Sequence, residues 1–271
     1  MRRLLFWFGG ATHDHSASTI TDLVKIRLGW RQIAMHSLLD CLRRTQGMFL
    51  GHFAVGFTAK KFAPHASLAV LLAAPLLSDL LWPPFLLLGW ETVRIDPARM
   101  KPAPLNFVSY PWSHSLLMCA VWAVLFGTIY YWMTRYLPGT IAIVIGVLSH
   151  WFLDWITHGA DMPLYPGGPK FGLGLWNSVA GTLSVELAMF AIGVWLYVSA
   201  TRARDRIGRY AFLTYVALLV ASYLKDTLSS ELPHSVKAGV AWPGLIAGIV
   251  MLIWAWWFDR HREPIPTEVL S

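Results

Sequence analysis

Cysteine is scarce. Cys41 and Cys119 are the only two in 271 residues, and the second lies inside an apolar run. A disulfide framework and a cysteine-rich metal site are therefore excluded. Charge is scarce too, with 14% Asp, Glu, Lys and Arg against about 25% in soluble domains. Neither a repeat of fixed period nor a low-complexity tract is present. What the chain has is apolar surface: 56% hydrophobic residues, 15 tryptophans and a mean hydropathy of +0.50. Several runs approach the ~20 residues that a spanning helix needs, so an integral membrane protein is expected. A net charge of +7 would suggest nucleic acid in a soluble chain. Here the basic residues punctuate apolar runs, as membrane anchors do, and no nucleic-acid partner is expected.

The pattern predicts an all-α fold, a polytopic transmembrane helical bundle of about six long spans plus a short N-terminal half-helix. Residues 1–47 are polar and carry Arg2, Arg3, Lys25, Arg27, Arg31, Arg43 and Arg44. They read as a dispensable extension, a start at Met48 being equally natural, and His13, Asp14 and His15 belong to it. Residues 48–258 form a single transmembrane domain, and 259–271 a short tail. The half-helix covers 48–62, with His52 near its start and Lys60-Lys61 near its end. Long spans are expected at 66–90 (broken by Pro75 and by Pro83-Pro84), 114–132, 139–158, 176–198, 210–224 and 239–258. A polar, proline-bearing loop fills 91–113. Alternating sides gathers Lys60, Lys61, Arg135, Arg202, Arg204, Arg206, Arg209, Arg260 and Arg262 at one surface, which the excess of positive charge marks as cytoplasmic.

The polar residues inside these spans carry the chemistry. His150, Asp154 and His158 are spaced four apart and share one helix face, about 6 Å per step. Ionisable groups in a spanning helix cost roughly 2.5–3.5 kcal/mol each and persist where they face a polar interior. Two imidazoles and a carboxylate on one stripe suit zinc or a similar divalent metal. The expected topology puts His52, Asp79, His114 and Glu186, from four other segments, into the same outer half of the bilayer. Hydrogen bonding between helices is the bland alternative for each, but such residues would be scattered in depth, and bound metal would offset the burial of the carboxylates. Glu186 serves equally well as a base or as a carboxylate behind the ligands. Asp161 follows His158 and either joins the site or caps a loop. Trp82, Trp112, Trp151, Trp155 and Trp176 are assigned to interfacial belts.

Four motifs, Gly51-His52-Phe53-Ala54-Val55-Gly56, Leu77-Ser78-Asp79-Leu80, Trp112-Ser113-His114-Ser115-Leu116 and Ser149-His150-Trp151-Phe152-Leu153-Asp154, occur in that order. Over roughly 48–160 the chain resembles the inner-membrane metal-dependent hydrolases described as LexA-binding or LexA-regulated. That family has an N-terminal Gly-His, a Pro-Asp-x-Asp-type motif, a Thr-His-Ser and a His-x-x-x-Asp. The resemblance implies His52, Asp79, His114, His150 and Asp154 as the equivalent metal positions in a bacterial cytoplasmic (inner) membrane protein. Two departures stand out. Asp79 is alone where the family has two aspartates, and Ser113 replaces the usual Thr.

A zinc ion there (manganese is possible) would lower the pKa of its bound water toward about 7. That water would attack a phosphoester or ester, with Asp79 or Glu186 accepting its proton. The outer-leaflet position suggests a lipid or lipid-linked small-molecule substrate. Lys170, in the glycine-rich loop 165–174, would suit its phosphate. Two other classes stay open: a transporter using the same residues as an ion or proton path, and a non-catalytic membrane protein with a structural metal. Oligomeric state is not legible.

Overall fold

The computed structural model describes residues 50–96, 105–228, 232 and 235–265. The expected extension at 1–47 lies outside the described residues. Within them the chain is helical, with three short two-stranded antiparallel pairings and no larger sheet.

The half-helix is α1 (Leu50–Phe62), followed by α2 (Leu68–Ala73) and α3 (Leu77–Leu88). A hairpin of β1 (Thr92–Ile95) and β2 (Leu105–Ser109) leads into the single turn α4 (Pro111–His114). Then come α5 (Leu116–Thr134), α6 (Leu137–Thr157), the pair β3 (Met162–Pro163) and β4 (Lys170–Phe171), and α7 (Val179–Ala200). Strand β5 (Thr201–Ala203), α8 (Arg206–Leu228), a π-helical turn Lys237–Ala241, α9 (Trp242–Asp259) and β6 (Arg262–Pro264) complete the chain. The expected C-terminal tail is thus partly a strand, since β6 pairs with β5.

Among the described residues five helices are long and apolar enough to cross a membrane: Leu116–Thr134, Leu137–Thr157, Val179–Ala200, Arg206–Leu228 and Gly239–Asp259. The remaining expected span, 66–90, is two short helices interrupted around Pro75. The break expected at Pro83-Pro84 does not occur, because both prolines lie inside α3. Lacking N–H groups, they relieve the carbonyls four residues back, at Asp79 and Leu80, of their helical donors. Helix α3 ends instead at Gly89, whose φ of 76° is the left-handed C-cap that glycine adopts without strain.

Local sequence explains three helix starts. Ser115 accepts from Met118 N at the start of α5, and Ser178 from Gly181 N at the start of α7. Asp205 does the same for α8 through Gly208 N. The outward faces stay apolar, as with Val124, Ile145, Ile192, Trp195 and Ile253, all exposed. That is the surface lipid would cover.

Helix α1 is the hub. It runs parallel to α7, with Gly51 near Glu186, Ala54 near Gly193 and Phe57 near Tyr197. A Cβ on Gly193 would lie 2.6 Å from the Ala54 carbonyl oxygen, so glycine is what lets these backbones touch. Below the polar cluster Phe53, Phe57, Phe190, Tyr197, Phe212, Tyr215 and Phe258 form a buried aromatic core shared by α1, α7, α8 and α9. At the end predicted to be cytoplasmic, Lys60 Nζ lies 2.7 Å from Asp259 Oδ2. Asp259 also accepts from Leu68 N and Tyr197 Oη, tying α1, α2, α7 and α9 together. Arg262 donates to Thr201 and Gly208 and lies over the Tyr197 and Phe212 rings at that same end.

Candidate metal centre

Five of the singled-out side chains meet at the other end of α1. His52 Nε2 lies 3.4 Å from Asp154 Oδ1, and His150 Nε2 lies 3.0 Å from Asp154 Oδ2. His114 Nε2 is 3.8 Å from Asp154 Oδ2 and 3.6 Å from Asp79 Oδ1. The His150 ring centroid is 4.3 Å from that of His52 and 5.0 Å from that of His114. The i, i+4 spacing of His150 and Asp154 works as expected, and each of the other three comes from its own element.

These separations can be tested against the geometry of a bound ion. Two atoms ligating one metal at about 2.0–2.2 Å lie roughly 3.0–3.8 Å apart for angles between about 90° and 130°. The four nitrogen–oxygen distances, 3.0 to 3.8 Å, fall in that range. The ligand atoms form two triads, His52–His150–Asp154 and Asp79–His114–His150, that share His150. One imidazole nitrogen offers one lone pair, so His150 serves one ion at a time. His150 Nε2 and Asp79 Oδ2 are buried without a hydrogen bond, although the first lies 3.0 Å from a carboxylate oxygen. A cation between them would satisfy both.

The tautomers favour this. His150 Nδ1 lies 2.8 Å from the Pro75 carbonyl, which can only accept, so Nδ1 carries the proton and Nε2 faces the cluster. Gly146, one turn before His150, makes the approach possible: a Cβ there would meet Ala74 Cβ at 3.0 Å and Pro75 Cδ at 3.2 Å. His114 Nδ1 lies 2.6 Å from Ser113 Oγ, and that hydroxyl donates to Glu91 Oε2 at 2.6 Å. Glu91 Oε1 accepts from the Trp112 and Ser113 amides, so Glu91 holds the whole turn α4. His114 Nδ1 must then donate to Ser113, which again leaves Nε2 bare. Such partners behind a ligand fix its tautomer and raise its basicity.

Sequence reasoning missed Glu91 and the Pro75 carbonyl. Ser113, directly before His114, was the available signal for the first. Nothing marks the carboxylate 22 residues upstream. Pro75 was visible as a break, but not as an acceptor.

The remaining candidates sit around the cluster. Glu186 Oε2 accepts from Gly51 N at 3.4 Å, satisfying the start of α1 one residue from His52, and it joins neither triad. His158 and Asp161 also lie outside both triads and pair with each other, Nδ1 to Oδ1, at 3.0 Å. Lys170 Nζ donates to the Val108 carbonyl and lies over the Tyr110 ring. Its loop caps the carbonyl end of α6, since Leu173 N and Gly174 N donate to Trp155 O and His158 O. Those amides are committed, and the negative end of a helix dipole is a poor neighbour for phosphate. Trp82 and Trp151 are buried, and Trp176 lies against His158 at 4.1 Å, so these three line the interior and are not belt residues. Trp112, 44% exposed, keeps a surface position.

Side-chain exposure is 0% for His52 and His150, 3% for Asp154 and 5% for His114, but 31% for Asp79.

No curated protein and no solved structure matches this chain. Residues 47–228, which carry all five clustered side chains, match the YdjM inner membrane protein family, in keeping with the family that the motifs resemble. Together with five membrane-length apolar helices, that match makes the chain an integral inner-membrane protein and a member of the YdjM family.

Proposed function

We propose that this protein is a metal-dependent hydrolase of a phosphoester or ester in a lipid or lipid-linked molecule. The observation that carries the proposal is the convergence of three imidazole Nε2 atoms and two carboxylates from four segments at metal-ligand spacing. His52, His114, His150 and Asp154 would hold the ion, zinc by its preference for nitrogen-rich sites, with manganese as the other candidate. When bound, such an ion supplies Lewis acidity that polarises the scissile group and acidifies water.

The chain's own residues do the rest. Pro75 and the Glu91–Ser113 pair keep the His150 and His114 nitrogens aimed inward. Asp79, the most exposed of the five, is the carboxylate assigned to take a proton from the attacking water. The apolar outer faces of the helices favour a substrate that partitions into the bilayer, while burial of His52, His114, His150 and Asp154 excludes bulk water. A proton or ion path is less well supported. The aromatic core of Phe53, Phe57, Phe190 and Tyr215 lies between the cluster and the Lys60–Asp259 pair.

The test is hydrolysis by detergent-purified, zinc-loaded protein of p-nitrophenyl palmitate and of hexadecyl p-nitrophenyl phosphate. Turnover of either, abolished by chelation and absent in His150→Ala, is expected. Metal binding without turnover of either would leave a structural metal and remove the hydrolase.

A further inference from the structure

Just beyond the cluster on α6 stands a second constellation that the metal does not need. His158 is one helical turn past Asp154, and its amide still donates to the Asp154 carbonyl at 2.7 Å. Its side chain is 3% exposed. Asp161 Oδ1 accepts from His158 Nδ1 at 3.0 Å and from the Tyr110 hydroxyl at 3.0 Å. A carboxylate only accepts, so Nδ1 carries a proton and Nε2 is the nitrogen left to exchange one. Tyr110 also joins the two sites, its ring lying 5.1 Å from that of His114 and 6.4 Å from that of His158. Trp176 at 4.1 Å and Phe107 at 5.0 Å pack against the imidazole ring.

We infer that His158 is the general acid that protonates the departing oxygen, with Asp161 and Tyr110 as its positioning residues, and that the substrate's leaving group is an unactivated alcohol. This rests on the hydrolase proposed above. In the step, water oxygen bonds to the phosphorus or acyl carbon, and its proton passes to Asp79. The bond to the ester oxygen breaks, and that oxygen takes the proton from His158 Nε2, so an alcohol leaves. Asp79 then returns its proton to solvent and His158 regains one. An alkoxide needs that proton to depart, whereas a nitrophenolate does not. The dyad is therefore informative about the substrate.

The experiment compares wild type, His158→Gln and Tyr110→Phe, all zinc-loaded, for metal content and for hydrolysis of matched pairs. Dihexadecyl phosphate is set against hexadecyl p-nitrophenyl phosphate, and hexadecyl palmitate against p-nitrophenyl palmitate. Wild type should cleave the alkyl member of at least one pair. His158→Gln should keep its metal and lose about 10²–10⁴-fold on that alkyl substrate, with little change on its nitrophenyl counterpart. Tyr110→Phe, which removes one hydroxyl and serves if His158→Gln does not fold, should lower the same ratio by a smaller factor. Equal loss on both members, no loss, loss of metal, or wild-type activity confined to nitrophenyl substrates would each overturn the assignment and leave the hydrolase standing. Wild type that binds metal and cleaves none of the four would remove both.

Discussion

The carbonyl oxygen of Pro75 lies 2.8 Å from His150 Nδ1, across the break between two short helices. The break thus supplies the acceptor that sets the tautomer of the central imidazole. Pro75→Ala would restore an N–H and favour continuous helix through this position. The protein should still fold, but chelator competition should report metal affinity weakened by about 10–100-fold, the usual cost of losing a partner behind a ligand. Unchanged affinity would show that His150 is oriented by packing alone.

Much of this was legible in the sequence, for a physical reason. Charged residues in apolar runs are expensive, so His52, Asp79, His114, His150 and Asp154 stood out against their background. The helical period then linked His150 to Asp154. Partners in polar stretches had no such contrast. Glu91 lies in a loop where a carboxylate is unremarkable, and only the β1–β2 hairpin brings it under Ser113. The loop of Lys170 looks like a phosphate cradle because it is glycine-rich and precedes a helix, but it also follows α6 and its Leu173 and Gly174 amides cap that helix. Pro83 and Pro84 misled likewise, since helix breaking is a local expectation that tertiary packing overrode in α3.

Glu91 should behave as a positioning residue for His114. Glu91→Gln and Ser113→Ala should each lower metal affinity by about 10–100-fold while leaving a folded, monodisperse protein. Ser113→Thr keeps the hydroxyl and should stay near wild type. Isothermal titration of the stripped protein with zinc measures this, and a Ser113→Ala curve that overlays wild type would contradict it.

The Lys60–Asp259 pair should matter for stability alone. Both side chains are under a tenth exposed, and removing one partner strands a buried charge at a cost of about 3–5 kcal/mol. Lys60→Met should lower the midpoint of thermal unfolding in detergent while metal stoichiometry holds. Metal loss at unchanged stability would tie the two ends of α1 together in a way the aromatic core between them does not suggest.

Asp205 should give the tail an acid limit. The Gly208 amide first, and His261 second, hold its carboxyl below the usual range. A carboxyl depressed in the folded state contributes fully above its unfolded value, about 3.9, and loses that contribution as pH falls further. Hydrogen exchange at 201–203 and 262–263 should therefore accelerate relative to intrinsic rates below about pH 4. In Asp205→Ala it should already be fast at neutral pH. Protection that ignores both changes would mean that the β5–β6 pairing and Arg262 suffice by themselves.

The central claim is a single metal held by His52, His114, His150 and Asp154, and elemental analysis of the detergent-purified protein tests it most directly. Wild type should carry about one zinc or manganese per chain, and His150→Ala and Asp154→Ala should carry none while eluting as folded protein. A folded wild type that stays metal-free after incubation with either ion, or variants that retain it, would contradict the account.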